Sequence, residues 1–155
     1  MKKIFWIGLI SLFLSGCDKT VSDEVVSNEM LIGNWECNII DYESSWDKNK
    51  FGELKKIHEN KRNRVLVSFK YKNNSLYSKT SDAENWEKER LIEKYNNKTI
   101  QQEDDFSTRK RTYSLKKVSD DKFIMTYEFE QLVKDEKDSK VNRKVKNETI
   151  CTRIK

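Results

Sequence analysis

One histidine, four glycines, three cysteines and no proline occur in a chain of 155 residues. Each scarcity removes a class of chemistry. His58 is the lone histidine, so neither a Ser-His-Asp unit nor a two-histidine metal site can be assembled. Set among lysines and asparagines, it reads as a surface residue. So few glycines leave no glycine-rich phosphate loop. The longest apolar run, IFWIGLISLFL, has only 11 residues, too short to span a bilayer, which takes about 20. Charge is scarce in excess rather than in amount: 31 basic residues face 26 acidic ones, a formal net charge of +5. That balance does not suggest nucleic acid. No enzyme, metal or cofactor is expected, with carboxylate-only hydrolysis the one chemistry left open. The acidic run Glu103-Asp104-Asp105 fits no calcium loop and reads as a solvated turn. Arg109 and Arg111 share a strand face and read as its wet side.

The start of the chain is an address. MKK forms a positive region, the 11-residue apolar core follows, and Leu14-Ser15-Gly16-Cys17 comes next. This resembles the lipobox of bacterial lipoproteins: an aliphatic residue, two small ones, then cysteine. The resemblance implies a signal peptide over 1–16, cut before Cys17, which then carries a diacylglyceryl group and an acylated amino terminus. Several acyl chains hold a protein on a membrane far better than one. Asp18 follows the cysteine and resembles the inner-membrane retention signal of enteric-type lipoproteins. The expected location is the bacterial envelope, facing the periplasm, with the inner membrane favoured over the outer. Removal of Lys2 and Lys3 with the leader takes the 31 basic residues to 29 against 26 acidic ones. Residues 17–30, mostly polar, are expected as a tether, with a short helix as the alternative. Residues 31–155 form the single domain.

Two cysteines remain, Cys37 and Cys151. An even pair in an oxidising compartment reads as a disulfide; the alternative is two separate buried thiols. Cys37 lies in the first apolar run, LIGNWECNII, and Cys151 in the last, NETICTRIK. Their strands are therefore expected as neighbours. In an antiparallel meander, first and last strands meet only if the sheet closes into a barrel or folds back on itself.

Gly33-Asn34-Trp35 resembles the G-x-W motif near the start of lipocalins and their calycin relatives. In those barrels the tryptophan closes the bottom, and an arginine from near the C-terminus packs over it. The resemblance assigns that part to Arg153, with Gly33 and Trp35 as the other barrel-closing residues. A single antiparallel register, in which paired numbers sum to 188, sets Trp35 opposite Arg153 and Cys37 opposite Cys151. Both pairs then share one face.

Between the ends the pattern is mostly of period two. Val65, Val67, Phe69 and Tyr71 alternate, and Asn73-Asn74 supplies a turn. Residues 90–102 repeat the device around Asn96-Asn97. Two strands flank Ser119-Asp120-Asp121, the second carrying Phe123, Met125, Tyr127 and Phe129 on one face. Residues 134–144 form a charge run and are expected as a solvated hairpin loop. In 44–63, Phe51, Leu54 and Ile57 recur at helical spacing, which predicts a short helix after the first strand or else a loop. The predicted fold is all-β: a small antiparallel meander barrel of about seven or eight strands, lipocalin-like.

The functional expectation is a membrane-tethered, non-enzymatic binding domain. The calycin resemblance implies a small apolar ligand inside the barrel. The alternative is an inhibitor or immunity lipoprotein that blocks a hydrolase or toxin in the envelope; a structural envelope protein is a third class. A carrier requires a cavity lined by residues such as Phe69, Phe123, Met125 and Tyr127. An inhibitor requires a filled core and an exposed, chemically distinctive loop.

Overall fold

The computed structural model describes residues 25–58 and 64–155. Cys17, Asp18 and the leader lie outside the described residues. In chain order the elements are α1 (Asn28–Leu31), β1 (Gly33–Ser44), β2 (Trp46–Asp47), β3 (Lys50–Phe51), β4 (Lys55–His58), β5 (Arg64–Lys72), β6 (Ser75–Thr80), β7 (Glu87–Glu89), α2 (Leu91–Lys94), β8 (Lys98–Glu103), β9 (Ser107–Ser119), β10 (Lys122–Val133) and β11 (Arg143–Arg153). A 3-10 turn, Glu136–Val141, joins the last two strands.

The fold is antiparallel β. The large sheet runs β7-β6-β5-β1-β11-β10-β9-β8, and β4 also pairs with β1. The first and last strands are neighbours, in the register that sets Trp35 opposite Arg153 and Cys37 opposite Cys151. The cysteines form a disulfide across the two strands, with Cα atoms 4.0 Å apart. The expected barrel does not form. The hydrogen-bonded path is open, ending at β7 and β8. Closure proves unnecessary because the chain lays down two meanders, β5 to β7 and β8 to β10, on opposite sides of the β1–β11 pair. The ends meet in the middle of the sheet and not at a seam.

Side chains two apart along a strand, and those directly opposite on its neighbours, share a face. One face therefore carries Trp35, Cys37, Val67, Phe69, Phe123 and Cys151. These residues are buried, apart from the half-buried Val67. Trp35 and Phe123 are both 0% exposed and meet edge to face at 4.8 Å. Each such side chain contributes about 1.5–3 kcal/mol by leaving water. The opposite face carries ion pairs alongside apolar residues such as Ile124 and Ile150. Lys144 reaches Glu130 at 3.0 Å, and Lys146 reaches Glu148 at 2.7 Å.

Three segments differ from expectation. The stretch 44–63 is extended where it is described, not helical. Lys48 and Asn49 take positive φ, 48° and 60°, and turn the chain into a small hairpin. Trp46 and Phe51 close it edge to face at 4.8 Å, and β4 then joins β1. Residues 91–94 form one helical turn in place of a strand. Leu91 is buried, and Ile92 and Tyr95 pack beside it, so one turn of helix seats an apolar cluster that a strand would split between two faces. The segment read as tether also reaches into the fold. Val26 is 3% exposed and Leu31 is fully buried. Ser27 caps α1 by accepting a hydrogen bond from the Met30 amide at 3.2 Å. The hairpin turns at Asn73-Asn74 and the loop over 134–144 fall where the pattern places them.

Candidate functional site

The long central strands separate two ends of different character. At the end where the N-terminal segment enters, no buried side-chain polar atom among the described residues lacks a partner. Gly33 takes φ +127°, and a Cβ placed there would lie 2.7 Å from Nη1 of Arg153. Glycine is thus required both by the backbone angle and by the approach of the guanidinium. Arg153 lies 4.3 Å above the Trp35 ring. It donates to the carbonyls of Met30 at 2.6 Å and Ile32 at 2.7 Å, and to Oδ1 of Asp121 at 3.0 Å. Trp35 Nε1 donates to the Leu31 carbonyl at 2.7 Å. Together the two side chains satisfy carbonyls that end α1, which a one-turn helix leaves open. Gly33, Trp35 and Arg153 therefore meet, but over the end of an open sheet's core and not the bottom of a barrel.

The opposite end is built around an exposed aromatic. Between β8 and β9 the chain reads Asp104-Asp105-Phe106. Oδ1 of Asp104 accepts from the Phe106 amide at 2.9 Å and the Ser107 amide at 2.7 Å. The Asp104 amide returns a bond to the Ser107 carbonyl at 3.0 Å, and Lys134 donates from its amide to the Phe106 carbonyl at 2.9 Å. Ser107 is buried. Those two backbone donors hold the Asp104 carboxyl below its ordinary range. An aspartate that bonds the amides two and three residues on makes a stiff turn. The turn holds Phe106 out in solvent, 79% exposed.

The facing lip is equally fixed. Asp135 Oδ1 accepts from the Lys137 amide at 2.9 Å and starts the 3-10 turn. Asn142 Oδ1 accepts from the Val133 amide at 2.7 Å and closes the loop. Val141, 57% exposed, stands on this lip. Between the lips lies an open cleft of about 810 Å³ whose lining includes Phe106, Val133 and Val141. Asp105, Asp135, Glu136 and Asp138 outnumber Lys134 and Lys137 around it, and Lys134 is already drawn to Glu103 at 2.8 Å. Glu103 is thus engaged in an ion pair and Asp104 in a turn, while Asp105 stands at the cleft.

Among the described residues, the side chains expected to line a ligand cavity are packed in or beside the core. Phe69 and Phe123 are core residues, and Phe123 is consumed by Trp35. Met125 is half-buried beside that core, and Tyr127 packs on Tyr113 at 5.1 Å. Burial raises the Tyr95 hydroxyl above its ordinary pKa, and Tyr113 beside it adds to the shift. Arg109 lies 3.3 Å from Asp104, and Arg111 donates to Gln102 at 2.6 Å. His58 falls at the end of β4. Sequence reasoning missed Phe106. The signal was a single aromatic inside the polar run QQEDDFSTRKR, where no core face calls for one.

Comparison with protein-family models, with curated proteins and with solved structures gives no match.

Proposed function

We propose that this protein is a lipid-anchored domain of the bacterial envelope that works by binding another protein, without catalysis. Of the three readings open from the sequence, the inhibitor or immunity type is better supported than the small-ligand carrier. The carrying observation is the Phe106 turn. A large apolar side chain is held 79% exposed by a hydrogen-bonded scaffold. Exposed aromatics on pre-ordered loops are the usual anchors of protein interfaces, since little entropy is lost when they dock. The core supports the same choice. The side chains a carrier would line with, Phe69 and Phe123, pack against their neighbours.

The geometry also fits the expected anchor. With acylated Cys17 in the bilayer, the eight residues to Val25 reach at most about 30 Å. Strand β1, 12 residues long, then carries the chain roughly 40 Å further at about 3.3 Å per residue. On this reading the Trp35–Arg153 end, where the tether enters, lies nearer the membrane than the Phe106 end. Asp18 favours the inner membrane as the surface concerned. The Gly33, Trp35 and Arg153 cluster is the part of the chain that carries the calycin likeness, and the reading does not depend on a closed barrel.

A photo-crosslinking residue placed at position 106 in the full-length chain, expressed in its own cells, is expected to give a discrete protein adduct. The same residue at Leu66, on the charged side of the sheet, is expected to give none. Equal labelling from both positions, or no adduct from 106, would overturn the proposal. Replacing Cys17 with alanine is expected to release the protein from membranes and end labelling by a fatty-acid probe. Continued labelling would remove the anchor.

A further inference from the structure

The two edges of the sheet are built differently. Strand β7 has three residues, Glu87–Glu89, two of them acidic. Oε2 of Glu89 accepts from Ser78 at 3.1 Å. The chain then turns at once into α2, whose Leu91 enters the core. A short, charged edge that runs into a helical turn seated on the core through Leu91 is a protected edge. Strand β8 is less protected, with charge only at its two ends, Lys98 and Glu103. It is six residues long, KTIQQE, and all six are exposed. It pairs with β9 in an unbroken register from Lys98–Tyr113 to Glu103–Thr108, with no bulge. It holds no proline, and its single lysine sits at the far end. Among the described residues no strand pairs with its outer side. A flat row of backbone N–H and C=O groups is matched in full only by another extended backbone.

The same strand runs without interruption into the Phe106 turn. The edge and the exposed aromatic are thus one continuous surface. Resting on the reading above, we infer that the outer edge of β8 binds an extended segment of a second protein, which adds a strand there and carries basic residues where it reaches the Phe106 cleft. The acidic majority around that cleft selects basic side chains. Ile100, 38% exposed, offers an apolar contact for an alternate side chain of the incoming strand. Self-association satisfies the surface less well. Two copies of β8 paired about a two-fold axis run in opposite directions. Their Phe106 turns then lie at opposite ends of the joint ladder, and the edge is filled while both aromatics stay bare.

The test uses the full-length chain in non-ionic detergent and three synthetic eight-residue peptides. One alternates lysine and valine. Its acidic twin has glutamate for lysine. The third is the basic peptide N-methylated at two adjacent central amides, so that neither of its edges can pair. The basic peptide is expected to bind at least about tenfold more tightly than either twin, a gap of about 1.4 kcal/mol. It is expected to slow amide hydrogen exchange within 98–103, and Phe106→Ala is expected to weaken it about tenfold. Equal binding by the N-methylated peptide overturns the inference, as does failure of the basic peptide to bind. Protection of 98–103 that rises with protein concentration alone assigns the edge to a second copy and also overturns it. Protection confined to the loops around Phe106 and Val141, with 98–103 unchanged, removes the added strand while leaving the tip as the binding surface.

Discussion

Trp35 and Phe106 are aromatic residues at opposite ends of one sheet, and they are treated in opposite ways. Trp35 is 0% exposed, bonded through its Nε1, stacked under Arg153 and packed on Phe123. Phe106 is 79% exposed and touches little, although its backbone is held by a network as dense as that around Trp35. Hydrogen bonds at the first end bury a side chain. At the second they display one. Order alone therefore does not mark a core. What separates the two ends is where the ordered side chain points.

That contrast can be broken experimentally, most severely at the packed end. Replacing both Cys37 and Cys151 by alanine frees a loop with a sequence separation of 114. The chain-entropy model expects a loss of about 4 to 5 kcal/mol, read by urea unfolding. A loss under about 1 kcal/mol would show that the cross-link does not constrain the unfolded chain. Trp35→Ala is expected to cost about 4 kcal/mol, since it empties the core and strands the Leu31 carbonyl. Gly33→Ala comes next, at about 2 kcal/mol: the methyl meets the Arg153 guanidinium at a positive φ. Pairing it with Arg153→Ala removes the collision but not the strain, so the double variant is expected to lose less than the sum.

At the exposed end stability hardly moves. Phe106→Ala is expected to change unfolding free energy by no more than about 0.5 kcal/mol, while weakening the basic peptide about tenfold. A large loss of stability there would make Phe106 a structural residue. The smallest effect is one of pH. The Asp104 carboxyl is held below its ordinary value of 3.8 by the amides of Phe106 and Ser107. Its ordering influence is thus fully present above that value and is lost as pH falls through the lower, folded value. The turn is expected to stay intact at pH 5 and to loosen only in stronger acid, read from the amide shifts of Phe106 and Ser107. Loosening already at pH 5 would contradict the bonding described.

The parts of this fold that were legible from residues are those set by pairing. Period-two alternation marked the strands, and the numbers of Cys37 and Cys151 located β1 beside β11. The same register placed Arg153 over Trp35, and the structure has it so. What escaped was global. Adjacency of the first and last strands is compatible with a closed barrel, and equally with two meanders flanking a central pair. No local residue pattern distinguishes them. The helix at 91–94 escaped because one turn is too short to display a period. The hairpin at 46–51 escaped because Lys48 is an unexpected residue at positive φ, and the apolar spacing around it mimics a helix. Phe106 escaped because an exposed aromatic in a turn follows no periodicity. Only its isolation among polar neighbours marks it.

The placing of β1 against β11 has a consequence in time. The strand that leaves the ribosome first finds its lasting neighbour in the strand that leaves last, and the linkage between them spans nearly the whole domain. Sheets dominated by such distant pairings fold slowly, on the scale of milliseconds to seconds. Until β11 is in place, β1 lacks one of its neighbours, and the disulfide that clamps the two strands cannot form.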